Sequence, residues 1–198
     1  MIRLKGVTKR FGRKEALKGV SFTIHGGEVL ALLGHNGAGK TTTLRLITTI
    51  LDPTEGAIER PTDFKAQLGF LPDEPFLFEY LTGREMLYFM ASLYRVQPEA
   101  IEPRTDHYLE LFEIGKAADQ LIKTYSRGMR RKIALIGSLS HDPFYWLLDE
   151  PTESLDPMAV RNLKDLVATR KQEKRAVVLS THQLALAEAV CDRLVILN

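Results

Sequence analysis

The stretch Gly34-His35-Asn36-Gly37-Ala38-Gly39-Lys40-Thr41 constrains this chain more than any other. It follows Glu28–Leu33, apolar after its first residue, which reads as a strand covered on both faces as in a parallel sheet. It precedes Thr41–Leu51, where Leu44, Ile47 and Leu51 fall on one helical face. Strand, glycine-rich turn and helix in this order fit the pattern G-x-x-x-x-G-K-[ST]. Glycines let the backbone wrap so that successive N–H groups point at phosphate oxygens, and the helix start adds the positive end of its dipole. Lys40 then reaches the outer phosphates, and the Thr41 hydroxyl is placed for Mg²⁺. The phosphate-binding segment comprises Gly34, His35, Asn36, Gly37, Ala38, Gly39, Lys40, Thr41 and Thr42. Alone it specifies a nucleoside triphosphate, and kinases and GTPases share it.

Two further apolar runs end in chemically active residues. Phe144-Tyr145-Trp146-Leu147-Leu148 leads into Asp149-Glu150. Beside the phosphate strand in a parallel sheet, that pair lies at the same carboxyl edge as the glycine loop. Asp149 is a candidate Mg²⁺ ligand and Glu150 a candidate base for an attacking water. Val177-Val178-Leu179-Ser180-Thr181 leads into His182, at the same edge, where it can meet the γ-phosphate and the water. His25, His35, His107 and His141 have no metal-ligand spacing, which argues against a zinc site.

The remaining order is α/β with an interruption. Ile2–Val7 and Val20–Ile24 read as strands, residues 52–56 as a turn, and Gln67–Leu71 as a strand. Residues 82–140 then read as consecutive helices. The first is opened by a Thr82/Glu85 capping box, with Met86, Phe89, Met90 and Leu93 as its expected buried stripe. A second covers residues 98–113, interrupted by Pro103, and a third begins near Ser126. Alternation resumes with a strand at Phe144–Leu148, a helix at Pro157–Arg170, a strand at Ala176–Ser180, a helix at Leu184–Val190 and a strand at Leu194–Leu197. The fold expected is α/β: a P-loop NTPase parallel-sheet core, residues 1–71 and 141–198, with a helical lobe inserted at 72–140.

Composition narrows the partners. The 198 residues carry a formal net charge of only +2, so no global field points to nucleic acid, and none is expected as a partner. The single cysteine, Cys191, excludes an internal disulfide and reads as apolar filler near a helix end. No apolar run approaches the roughly 18 residues of a membrane span, so action at a membrane needs spans from another polypeptide.

One stretch, Thr124-Tyr125-Ser126-Arg127-Gly128-Met129-Arg130-Arg131-Lys132, first reads as a basic patch. Taken in order with the glycine loop, the acidic strand and His182, it instead resembles the signature of an ATP-binding cassette (ABC) transporter ATPase subunit. The resemblance covers nearly the whole chain and implies an antiparallel β lobe at the N-terminus. It implies ATP and Mg²⁺ as ligands and a homodimer or heterodimer of ATPase subunits. It also implies transmembrane permease partners and a place on the cytoplasmic face of the cell membrane. In that family the signature binds ATP held by the opposite subunit. Ser126, Gly128 and Met129 hold the matching places here, with Arg127 and Met129 where glycine and glutamine are usual. The YSRGM variant is similar to that of bacterial export-type cassettes.

Other matches follow from the same resemblance. Phe11 occupies the place of the aromatic that stacks on adenine. Ser154-Leu155-Asp156 looks like the loop through which subunits communicate and puts Asp156 near the nucleotide; Asp156 also suits a helix N-cap before Pro157. Asp73 stands where the family commonly has a glutamine near the metal, and it changes the charge there. Pro75-Phe76-Leu77-Phe78-Glu79-Tyr80-Leu81 falls where membrane subunits dock, or folds into the core of the helical lobe. The function implied is ATP hydrolysis coupled to transport. Two alternatives remain: a soluble cassette ATPase acting on ribosomes or DNA, and a phosphotransferase sharing only the glycine loop.

Overall fold

A computed structural model describes residues 1–198, which divide into two compact units. The first contains Met1–Asp73, Phe144–Pro151 and Val167–Asn198; the second contains Glu74–Pro143 and Thr152–Leu166.

The first unit is built on two sheets. Strands β3 (Val29–Leu33), β5 (Leu68–Leu71), β6 (Tyr145–Asp149), β7 (Ala176–Thr181) and β8 (Arg193–Ile196) form a parallel sheet in the order β5-β6-β7-β3-β8. Every residue of β6 and β7 is buried, the pattern of central strands covered on both faces. Strands β1 (Ile2–Phe11), β2 (Lys14–Ile24) and β4 (Glu55–Glu59) form an antiparallel sheet. Helix α1 (Lys40–Ile47) packs against β2, β6 and β7, and its Leu44, Leu46 and Ile47 join one core with Ile2, Leu4, Leu30, Leu147 and Val178.

Several expected boundaries move, each for a local reason. The first two strands run well past Val7 and start before Val20, because they form a long hairpin turned at Gly12, whose φ of 58° suits glycine. Residues 55–56, read as turn, begin β4, an exposed edge strand with no alternation to betray it. It is held to β1 by ladder hydrogen bonds and by the pairs Lys5–Glu59 at 2.5 Å and Arg10–Glu55 at 2.6 Å. Helix α1 stops at Ile47 rather than Leu51. Thr49 turns left-handed at φ 65°, and Arg60 donates to the Ile47 carbonyl at 2.8 Å and to that of Leu46.

The second unit contains α2 (Gly83–Leu93), α3 (Pro98–Leu111) and α4 (Arg127–Gly137). The capping box is present, with Thr82 and Glu85 exchanging hydrogen bonds at 3.1 and 2.8 Å. The buried face of α2, however, is Gly83, Met86, Leu87 and Ala91, while Phe89 is exposed and Leu93 is 65% exposed. The expected stripe counted only bulky residues. Gly83 and Ala91 bury because small side chains let neighbouring elements approach.

Helix α3 passes through Pro103, since Ile101, Thr105 and Leu109 bury one face while Glu99 and Pro103 face outward. The Glu99 carbonyl deprived of its partner lies on the solvent side, where water can satisfy it. Helices α5 (Pro157–Gln172) and α6 (Leu184–Val190) precede and follow β7 in the chain, and no helix is long and apolar enough to cross a membrane. Replacing Pro103 by Ala should restore the helical bond and stabilise the protein by roughly 1–3 kcal/mol. Urea denaturation followed by circular dichroism measures it, and an unchanged or lower midpoint contradicts it.

Candidate nucleotide site

The loop joining β3 to α1 needs its glycines for two different reasons. Gly37 and Gly39 have φ of 90° and 95°, a region that disfavours side chains. Gly34 has ordinary backbone, but a Cβ there would meet the Leu197 carbonyl oxygen at 2.6 Å. Gly39 also lies against the Ala16 carbonyl oxygen, at 2.6 Å from where its Cβ would be. As N-cap of α1, Gly39 supplies no side-chain hydrogen bond, which leaves the helix start to backbone N–H groups. His35 and Asn36 form the exposed crest of the loop, and Ala38 is buried beneath it.

Lys40 is buried in this loop. Its Nζ donates to the carbonyls of Gly34 at 2.8 Å and His35 at 3.2 Å and lies 3.3 Å from Glu150 Oε1. Glu150 Oε2 lies 3.0 Å from His182 Nδ1. Lys40, Glu150 and His182 thus form one chain of contacts at the carboxyl edge of the sheet. The acidic strand is not the immediate neighbour of the phosphate strand, as expected; β7 lies between β6 and β3. The parallel register still aligns the ends, because Leu33 pairs with Thr181 and Asp149 with Ser180.

Asp149 has no accessible surface. Burial pushes its carboxyl above the usual range; hydrogen bonds from Ser180 and Thr41 oppose that shift, while the charges of Asp73 and Glu150 add to it. Thr41 and Asp149 are thus hydrogen-bonded oxygen donors, the class that suits Mg²⁺, and the charges of Asp73 and Glu150 are near enough to act on Asp149. Thr42, on the first turn of α1, is half-buried. Phe11, at the end of β1, is exposed, with Lys9 Nζ 5.2 Å from its ring centre.

The second unit holds the other candidates. Ser126 is the N-cap of α4, accepting from the Met129 N–H at 3.2 Å. The basic patch that the sequence suggests here is paired or buried rather than free. Arg127 meets Glu153 at 3.5 Å, Arg130 meets Glu79 at 2.9 Å, Lys132 meets Asp156 at 2.6 Å, and Arg131 is buried. Gly128 is needed for close approach, since a Cβ would lie 2.8 Å from the Ser154 carbonyl oxygen. Asp156 is the helix cap anticipated: its carboxylate accepts from the Ala159 N–H at 2.8 Å and is held below the usual range by Lys132 first and then by that N–H. Cys191 is half-buried at the end of α6, its thiol pushed up to about 12 by burial and then by Asp192, which suits inert filler.

Two residues that matter to the site carried no signal in the sequence. Ser180 looks like one more strand residue, yet it touches both carboxylate residues. Leu17 lies against the loop, 2.6 Å from where a Gly39 Cβ would be. Only strand register and sheet packing reveal either one.

Comparison with known proteins agrees with this geometry. Residues 17–153 match the protein family described as ABC transporter. An uncharacterized ABC transporter ATP-binding protein of Methanocaldococcus jannaschii, MJ1023, is 38% identical over 197 residues, covering 100% of this chain and 74% of that protein. The ABC-type transporter ATP-binding protein EcsA of Bacillus subtilis is 34% identical over 206 residues, covering 100% of this chain and 83% of that protein. Among solved structures, an ATP-binding subunit of an ABC transporter superposes with a TM-score of 0.92 at 32% identity, covering 100% of this chain and 85% of that one. The dimeric bacterial cassette MJ0796 superposes with a TM-score of 0.86 at 26% identity, covering 100% and 94%. A post-hydrolysis state of that cassette bound to ADP and Pi gives 0.85 at 27% identity. With its glycine loop, paired carboxylates and histidine gathered at one sheet edge, this chain belongs to the ABC transporter family as an ATP-binding subunit that hydrolyses ATP.

Proposed function

We propose that this chain is the motor of a transporter, one cassette that closes on ATP with a second cassette and so moves separate transmembrane subunits. The second cassette is another copy or a related ATPase subunit, and the pair works on the cytoplasmic face of the membrane. The observation that carries the hydrolytic part is the Lys40–Glu150–His182 chain, 3.3 and 3.0 Å long in its two contacts.

In this reading the β3–α1 loop, from Gly34 to Thr42, encloses the phosphates with its N–H groups. Lys40 exchanges the Gly34 and His35 carbonyls for the outer phosphates. Phe11 stacks on adenine with its exposed ring. Thr41, Asp149 and Asp73 would hold Mg²⁺; the oxygen donors and the like charges that burden Asp149 suit a divalent cation. Mg²⁺ held there would supply positive charge to the phosphates. Glu150 accepts a proton from the water as that water's oxygen attacks the γ-phosphorus and ADP leaves. His182 orients Glu150 through Nδ1 and contacts the γ-phosphate.

Ser126, Gly128 and Met129 of the facing copy meet the same γ-phosphate, and the loop carrying Asp156 relays between the two sites. The aromatic segment supports docking to membrane subunits rather than a core role. Phe76 and Tyr80 are each 80% exposed, and Phe78 makes T-shaped ring contacts with Phe76 and Phe89 at centre distances of 5.5 and 5.4 Å. The YSRGM signature favours export.

Ser126→Ala tests the shared site better than a change at Gly128, where any side chain strikes Ser154. It should cost about 1 kcal/mol of stability as a lost cap and leave ATP binding to the monomer intact. ATP-driven dimerisation, followed by light scattering, should disappear; loss of ATP binding as well would refute the shared site. Glu150→Gln should lower kcat by at least roughly 100-fold with ATP binding retained. A wild-type rate removes Glu150 as the base.

Asp149→Asn has a signed consequence for stability. A carboxyl whose folded pKa is raised contributes stability below its unfolded pKa and loses it as pH rises through the folded value. The nucleotide-free Asn variant should therefore melt higher than wild type at neutral pH, with the gain vanishing toward about pH 4. Calorimetry across that range checks it, and a lower melting temperature at pH 7 contradicts it.

A further inference from the structure

We propose that Ser180 is a positioning residue for hydrolysis, setting Asp149 and the backbone of Glu150 from the neighbouring strand. The proposal rests on the reading of Asp149 as metal ligand and Glu150 as base. Ser180 is fully buried and lies directly beside Asp149 in the parallel β6–β7 register. Its hydroxyl donates to Asp149 Oδ1. The same oxygen accepts the Glu150 N–H at 3.1 Å, and the Ser180 carbonyl accepts that N–H at 3.2 Å. One hydroxyl thus spends its proton on the first carboxylate and a lone pair on the backbone of the second.

The backbone contact matters because Glu150 has φ of 44°, a left-handed conformation that a non-glycine residue holds only under constraint. An N–H gripped by two oxygens fixes the peptide from which the Glu150 carboxylate reaches Lys40 and His182. Packing alone does not call for serine here. The position is a fully buried place on a central strand, where β-branched apolar residues fit best, as at the neighbouring Val177 and Val178. An apolar residue could supply neither contact.

Ser180 touches neither nucleotide nor metal in this scheme, so its effect passes through Asp149 and Glu150. Losing such outer partners typically costs roughly 10–100-fold in metal affinity or activity. The test compares Ser180→Ala, Ser180→Thr and Ser180→Cys in the full chain. Mn²⁺ affinity is measured by electron paramagnetic resonance with a non-hydrolysable ATP analogue, together with kcat and KM for ATP.

Ser180→Ala should weaken Mn²⁺ binding and lower kcat by about tenfold or more, with KM for ATP changed less than about threefold. Ser180→Thr keeps the hydroxyl and should stay within about threefold of wild type on each measure. Should the Ala variant not fold, Cys replaces it, being close to serine in size and a weak donor. Wild-type Mn²⁺ affinity and kcat in the variant lacking the hydroxyl overturn the proposal, as does a Thr variant as impaired as that one. Asp149→Asn separates the two readings. Wild-type Mn²⁺ affinity in it removes Asp149 as ligand; lost affinity there beside intact affinity without the Ser180 hydroxyl removes the role of Ser180 alone.

Discussion

Asp149 is a carboxylate with no accessible surface, set at the end of an entirely buried strand, and the site is arranged around the cost of keeping it there. Burial alone drives the group toward its neutral form, and Asp73 and Glu150 push the same way. The hydroxyls of Thr41 and Ser180 oppose them, one from the phosphate-loop helix and one from the adjacent strand. Each partner comes from a different segment, so the charge is tolerated only when strand order and register are correct. A buried charge held this way costs stability, and the proposed binding of Mg²⁺ by Asp149 would offset that cost, a common trade between stability and function.

Glu150, next in the chain, is constrained by other means. Its left-handed backbone is pinned through Ser180, and its carboxylate lies between Lys40 and His182. Two successive acidic residues thereby receive distinct surroundings, one enclosed by hydroxyls and one placed between a lysine and a histidine. This division fits the separate tasks proposed for them, holding a metal and accepting a proton from water.

The basic stretch 127–132 shows how misleading charge counted along a chain can be. Arg127, Arg130 and Lys132 each meet an acidic partner distant in sequence, and Arg131 is buried. What remains characteristic of the segment is its backbone: Ser126 caps α4, and Gly128 passes against the Ser154 carbonyl with no room for a side chain.

Much was legible in the sequence because it is encoded locally. A glycine loop between an apolar run and an amphipathic one, two apolar runs ending in Asp149-Glu150 and His182, and a capping box at Thr82 are short-range patterns with short-range causes. Edge strand β4, the end of α1 at Arg60 and the true buried face of α2 were not legible. Backbone pairing, a remote arginine and small residues at a close approach leave no periodic trace. The sequence by itself determined which residue types reach the carboxyl edge of the sheet. Tertiary structure alone decided that β7 stands between β6 and β3, and so brought Ser180 beside Asp149. Strand order and register arise from burial summed over the whole sheet, which no local window contains.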